Sequence, residues 1–586
     1  MPRLQKFTTL LATLSLAGVL VVSGVPESTV EAAFLAGSGT SGDPYQIDDC
    51  AQLAEIDDTN ANLAAHYRII SAISCASISP FTPLRNGTTY FTGSLDGGGF
   101  TISNLTLSCG TAILCGLFAA TSPGASISNV TIDSPSLTST VSSTSGASPY
   151  ASVGMLVGEA RGNLALSNIT ITAPTITASG DGVGGIVGYS TSVGTLTASN
   201  VSVINGSVTG GVMVGGLFGW VAQGTISSAT SSTSVTASGV AGGIIGQGGT
   251  TSSTGVVIID QAIFTGSVTT SLYGSIFSKA GGIAGQLFGT VAQSSRITRS
   301  QVTGGGISGD GTRVGGLVGE SQRLIVANSY AAVSVDGNRT NTSVATNSTA
   351  AYVGGLVGYA QSRTKISDSY FDGSVTSTNA TNSYRRYVGG LIGSTNGTTT
   401  ISRSYSLGTV TGSSYVGGLV GSASSTLFTV LQSFSRSTVN YSKEPGSDYE
   451  GGLAGETDSG QMIVTGSQAS PTQVATLHHS YFAGIMSPSG SSSNKYGLYG
   501  QGRASCSRTF FNTQTSGATL PLQPPNSPQA PSATTAELRW GWAPPPQTCR
   551  RRPPLWTGIS PQPGVTPPAS IRSCARWPAP ERRLLI

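Results

Sequence analysis

The sequence predicts an all-β protein, a right-handed β-solenoid (β-helix) of about twelve glycine-rich coils behind an N-terminal cap, and three observations predict it. The first is a recurring core, seen as Val353-Gly354-Gly355-Leu356-Val357-Gly358. It returns as VGGIVG from Val183, VGGLFG from Val214, AGGIIG from Ala241, AGGIAG from Ala280 and VGGLVG from Val314, and again from Val388, Val416 and Glu450. Weaker copies begin at Leu114, Val153 and Lys495. The second is the spacing, on average about 35 residues, which is the range of solenoids, propellers and arrays. The third is what lies between the cores: short runs such as Ile366 to Tyr370 and Gly373 to Val375, rich in β-branched, aromatic and small residues and bounded by Gly, Asn and Ser. A β-propeller-like array is the alternative, but about twelve units exceed the usual four to eight blades or so.

Composition agrees with a thin, repeated core. Glycine supplies 80 of 586 residues, hydrophobic residues 38% and charged residues only 9%. The net charge of +4 is unevenly placed, because eight Arg and two Glu fall between Leu520 and Ile586 and the repeat body is close to neutral. A clustered basic footprint for nucleic acid is therefore absent from the repeats, and no nucleic-acid partner is expected.

In chain order, Arg3 and Lys6, the apolar run Leu10 to Val22 and the small residues Val30 to Ala33 read as a secretory signal over residues 1–33. No later stretch reaches transmembrane length, so a secreted or cell-surface location is expected. Residues 34–110 differ from the repeats and suit a terminal cap, which the first coil needs over its open edge. A covering helix is expected within Ala51 to Ala65, with Leu53, Ile56 and Leu63 on its apolar side. Cys50, Cys75, Cys109 and Cys115 all fall here or just beyond and after export can form two disulfides, with three connectivities open. Their spacing matches no zinc pattern.

The segments Gly37 to Ile47, Tyr67 to Cys75 and Phe91 to Ile102, followed by the V-G-G-L-V-G cores, resemble the bacterial GLUG-motif surface proteins, and Phe511 to Gly517 is similar to the segment that closes them. The resemblance covers residues 37 to 540 or thereabouts. It implies an adhesin-like β-solenoid, secreted or on the surface, and carries no catalytic residue to transfer.

Within the repeats, residues 111–505, two aligned columns stand out. The residue after each core reads Glu159, Tyr189, Trp220, Gln247, Gln286, Glu320, Tyr359, Ser394, Ser422, Glu456 and Gln501, and is expected to face outward past the glycine bend. Tyr189, Trp220, Gln247, Gln286 and Tyr359 are the candidate ligand-binding stripe, most plausibly for glycans. The second column, Tyr330, Tyr370, Tyr405, Phe434 and Tyr481, aligns with Val130, Ile169 and Val201 and is expected to stack inside the core.

Catalytic and metal chemistry is thin. Glu159, Glu320 and Glu456 lie coils apart, Asp368 and Asp372 lack equivalents in the preceding coil, and His478 and His479 point to opposite faces of a strand. No catalytic residue, metal site or cofactor is therefore assigned. Thr170-Ile171-Thr172 and Thr175-Ile176-Thr177 do not recur in register as an ice-binding array requires, and the N-x-S/T sequons at Asn86, Asn104, Asn129, Asn168 and Asn338 are attributed to chance. Beyond the closing segment 506–538, residues 539–586 are rich in Pro and Arg and read as a disordered tail, either a wall spacer or a frame-shifted ending. The expected role is adhesion to a host or environmental surface ligand. The alternative is a polysaccharide lyase or glycoside hydrolase on a β-helix, which needs carboxylates gathered in a groove.

Overall fold

The computed structural model describes residues 34–522 apart from 142–149, 251–254, 272–277, 311–312, 339–349, 379–385, 424–426, 442–448, 452–453, 458–474, 479, 489–494, 503, 508–509 and 512–519. The signal segment, most of the closing segment and the Pro/Arg-rich tail lie outside the described residues.

Four strands make a coil, as in Gly182–Gly184, Val187–Ser190, Leu196–Ile204 and Ser207–Gly210. Each pairs in parallel with its counterpart in the coils before and after. The first and second strands stack into one sheet and the third and fourth into another, so the architecture is a β-solenoid. Twelve residues, from Ala120 through the column read in the sequence to Gln501, stand in one unbroken register on the second strand. At the first copy, Cys115 pairs with Val153, one residue away from the alignment read in the sequence.

The core motif is a corner where main chain meets main chain. A Cβ at Gly184 would lie 2.0 Å from the Val187 carbonyl oxygen, one at Gly185 2.1 Å from the Gly216 oxygen of the next coil, and one at Gly188 2.4 Å from the Val153 nitrogen of the preceding coil. The intervening Val and Ile residues point inward; Val183, Ile186, Val208 and Val235 are fully buried, each contributing about 1.5–3 kcal/mol.

The third strand is bent at Asn200, whose φ of 50° is in the left-handed region that Asn tolerates. Asn129 and Asn168 occupy the same corner at φ 55°, and their amides form a ladder, with Asn168 Nδ2 donating to Asn129 Oδ1 and Asn200 Nδ2 to Asn168 Oδ1, each at 2.8 Å. These sequons are a product of geometry rather than chance: Asn turns the corner, Val or Ile points inward, and Ser or Thr points out.

The aromatic column lies outside the core, contrary to the expectation from alignment. Tyr330 stands in register with Gln301, Ile263, Thr230, Ser202 and Thr170, one residue past Val201 and Ile169. A one-residue slip reverses the face in a strand. Outside, Tyr330, Tyr370, Tyr405, Phe434 and Tyr481 stack with centroids 4.8–5.0 Å apart and planes within 5°. Inside, the column of Ile169, Val201 and Ala229 gives way to Ser300, Ser329, Ser369, Ser404, Ser433 and Ser480, all buried. Each hydroxyl from Ser300 to Ser433 donates to the carbonyl two residues back. Each also accepts the N–H of its counterpart in the preceding coil, as Ser329 N to Ser369 Oγ at 3.2 Å.

A second correction concerns the threonines. Thr175-Ile176-Thr177 does recur in register on the fourth strand, as Ser136-Leu137-Thr138, Ser207-Val208-Thr209, Ser234-Val235-Thr236 and Ser267-Val268-Thr269. Ser/Thr interchange and uneven loop lengths hid the alignment.

In the cap, the expected helix is confined to Cys50–Ala54, followed by 3-10 turns at Glu55–Asp57 and Asn62–Ala64. Leu53, Ile56 and Leu63 are fully buried in the common core. Tyr45–Ile47 pairs with His66–Ile69, which pairs with Ser94–Asp96 and so joins the third-strand stack. The disulfides are Cys50–Cys75 and Cys109–Cys115.

Replacing Ser369 by Ala should strip the buried Ser329 N–H of its acceptor at a cost of about 1–3 kcal/mol. Amide exchange at Ser329 should accelerate accordingly, whereas the outward change Ser374→Ala should leave it unaltered.

Candidate ligand-binding face

The residue before each core and the residue after it emerge on the same side of the glycine corner. On the first strand the former column reads Ser152, Gly182, Met213, Val240, Lys279, Arg313, Tyr352, Tyr387 and Tyr415. It leans on the second-strand column, and the two are complementary in size. Small Gly182 faces Tyr189, while large Tyr387 and Tyr415 accompany Ser394 and Ser422. The stripe therefore does not stand free as expected. Gln286, Glu320, Ser394 and Ser422 are buried, and Tyr189, Trp220, Gln247 and Tyr359 are half-buried.

Three clusters follow along this face. Tyr189 and Trp220 lie with ring centroids 4.6 Å apart, and Tyr150 sets its ring edgewise against both at 5.6 and 5.1 Å. Trp220 also packs on Val212, Met213 and Val240, and its Nε1–H has no hydrogen-bond partner. Burial pushes the Tyr189 phenol up to about 12. Gln247 is the next residue of the column, in register between Trp220 and Gln286.

The second cluster surrounds Glu320, only 3% exposed. Lys279 Nζ lies 3.1 Å and Arg313 2.5 Å from its oxygens, and the Gln286 and Gln361 amides donate to it at 2.8 and 2.6 Å. Gln286 is thus committed to an internal partner. Burial pushes the Lys279 ammonium below the ordinary lysine range, with Glu320 pulling it back up. Beyond, Arg313 lies over the Tyr359 ring at 4.9 Å. The third cluster joins Tyr359 to Tyr352 at 4.5 Å and continues through Tyr387 and Tyr415 at 5.3 and 5.0 Å. Burial raises the Tyr352 phenol to about 12.

Sequence reasoning missed Tyr150, Lys279, Arg313 and Tyr352. Reading the column one residue before each core would have found all but Tyr150. Other carboxylates are paired as well: Glu159 with Arg161 at 2.6 Å, and Asp368 with Arg403 through two bonds of 2.6 Å. His478 ends the strand Ala475–His478, in register with Leu431, and His479 lies outside the described residues. Among the described residues no group of three His, Cys, Asp or Glu could hold a metal ion, and no helix is long and apolar enough to cross a membrane.

Residues 346–376, which include the strands Ala351–Gly354, Val357–Gln361 and Thr364–Ser367 and most of Tyr370–Ser377, match the family model of the GLUG motif. That coil carries the GLUG motif. Halomucin of Haloquadratum walsbyi is 31% identical over 187 residues, 30% of this chain, and the chain spans 2% of the length of that relative. A solved structure of a candidate immunoglobulin A1 protease from Bacteroides ovatus aligns over 78% of this chain and 87% of its own, at 16% identity and a TM-score of 0.25.

Two outcomes are expected. Glu320→Ala leaves Lys279 and Arg313 without their shared counter-charge in a mostly buried setting and should cost about 3 kcal/mol, read as a lowered denaturant midpoint. Tyr189 and Tyr352 have folded pKa values raised from 10.0 to about 12, so their contribution is complete below pH 10.0 and is lost as pH rises through the folded values. Stability should fall across that alkaline window, parallel to phenolate absorbance, and fall less in a Tyr189→Phe, Tyr352→Phe variant.

Proposed function

We propose that this chain is an exported, surface-associated interaction protein without catalytic activity, in which the GLUG solenoid carries binding patches on a stiff scaffold. The observation that carries the reading is the unbroken register of the second-strand column, which lines up one patch after another along a single face. Parallel coils, each closed on its neighbours, make such a column a rigid ruler rather than a set of mobile loops. The GLUG match, the similarity to halomucin, the two disulfides and the apolar N-terminal run support placement outside the cytoplasm.

The patch best suited to a glycan is Tyr150, Tyr189 and Trp220 beside Gln247. Aromatic surface packs on the apolar faces of sugar rings, and the Gln247 amide can bind hydroxyls. A lyase or hydrolase would instead need carboxylates free to meet substrate. Glu159 and Glu320 are held by cations, which weighs against that alternative.

Glycan and matrix-protein arrays probed with the full chain, together with surface labelling of the producing cells, test the proposal. Trp220→Ala should abolish the array signal and, because the ring is only half-buried, cost about 2 kcal/mol of stability, less than the roughly 3–5 kcal/mol of a core aromatic. A cytoplasmic location, or array binding indifferent to Trp220 and Tyr189, would overturn it.

A further inference from the structure

We propose that the outer face of the fourth strands, from Thr138 to Thr269, is an ice-binding plane, an activity separate from the aromatic patch on the other sheet. Five successive coils present the same outward pair, Ser or Thr and then Thr, about an inward Leu, Ile or Val that is fully buried. The array is two-dimensional. Along a strand the paired hydroxyls are about 6.6 Å apart, and between coils the same position repeats at about 4.8 Å. No register shift interrupts it over these coils, and the regular pattern ends where Gly306 and Ser308 follow.

The chemistry of the face selects its ligand. It carries no charged side chain over these coils, which disfavours anionic polymers and charged mineral surfaces. It also offers no ring and no amide, the groups by which proteins hold soluble sugars. What it offers is a lattice of hydroxyls and γ-methyls in register, on strands anchored by the buried residues between them. The oxygen lattice of ice repeats at intervals close to both spacings. Two pairs of first-column hydroxyls bond along the axis, Ser136 to Thr106 and Ser267 to Ser234, each at 3.2 Å. Those of Thr138, Thr177, Thr209, Thr236 and Thr269 form no hydrogen bond to a described residue; Thr209 is half-buried and the other four are exposed. They are free to order water in the same lattice, and a face already ordered loses little entropy on doing so.

The test is partition of the full chain into slowly grown polycrystalline ice, with recrystallisation inhibition as a second readout. The wild-type chain should enter ice several-fold in excess of a non-binding protein of similar size. Thr177→Tyr and Thr209→Tyr, whose rings would stand proud of the plane, should each lose that excess with unchanged circular dichroism. Thr225→Tyr, exposed on the third strand, should keep it. Exclusion of the wild-type chain from ice, equal loss in Thr225→Tyr, or retention on crystalline cellulose or chitin with no effect on ice would each overturn the proposal.

Discussion

Everything in this molecule depends on a contact between backbones. At each glycine corner the first and second strands approach so closely that the space for a Cβ is already filled by carbonyl oxygens or amide nitrogens, both within the coil and from the coils on either side. Three glycines per core are the cost of that approach. In return the corner is sharp, successive corners nest, and the residues flanking the core emerge side by side. The adjacency of Arg313 with Glu320 and Tyr359, or of Met213 with Trp220, follows from this nesting rather than from proximity along the chain.

Much of this was legible in the sequence, because glycine spacing is a signature that no other strand of the coil carries. The repeat, the solenoid and the second-strand register from Glu159 to Gln501 were all readable from it. What was not readable lay where the chain makes no such mark. Tyr330 and Ser329 are neighbours, and hydrophobicity alone assigns the tyrosine to the interior and the serine to water. The structure reverses both, because a left-handed residue at the bend resets the alternation and a buried hydroxyl there satisfies a main-chain amide. Outside, the phenyl rings cover one another's faces and leave only edges and hydroxyls to solvent.

The binding stripe was found as a column but misread as a surface. Two side chains per coil share the space outside the glycine corner, and they divide its volume between them. Where one is Gly182, Ser394 or Ser422 the other is aromatic; where both are long and polar, as around Glu320, they consume each other's charge. Exposure on this face is thus decided by pairs of columns, which no single aligned position reveals. The threonine plane was missed for the opposite reason, since Ser and Thr differ as letters while their hydroxyls occupy equivalent places.

The serine ladder gives the solenoid a direction. In every rung the donor N–H belongs to the earlier coil and the accepting hydroxyl to the later one, from Ala262 and Ser300 through to Ser433 and Ser480. A coil in this region is consequently incomplete until its successor arrives. A chain threading out of a ribosome or a translocation channel would carry, at each stage, this amide unanswered among the unpaired groups of its growing edge, and each newly folded coil would lock the one before it while inheriting the vacancy itself.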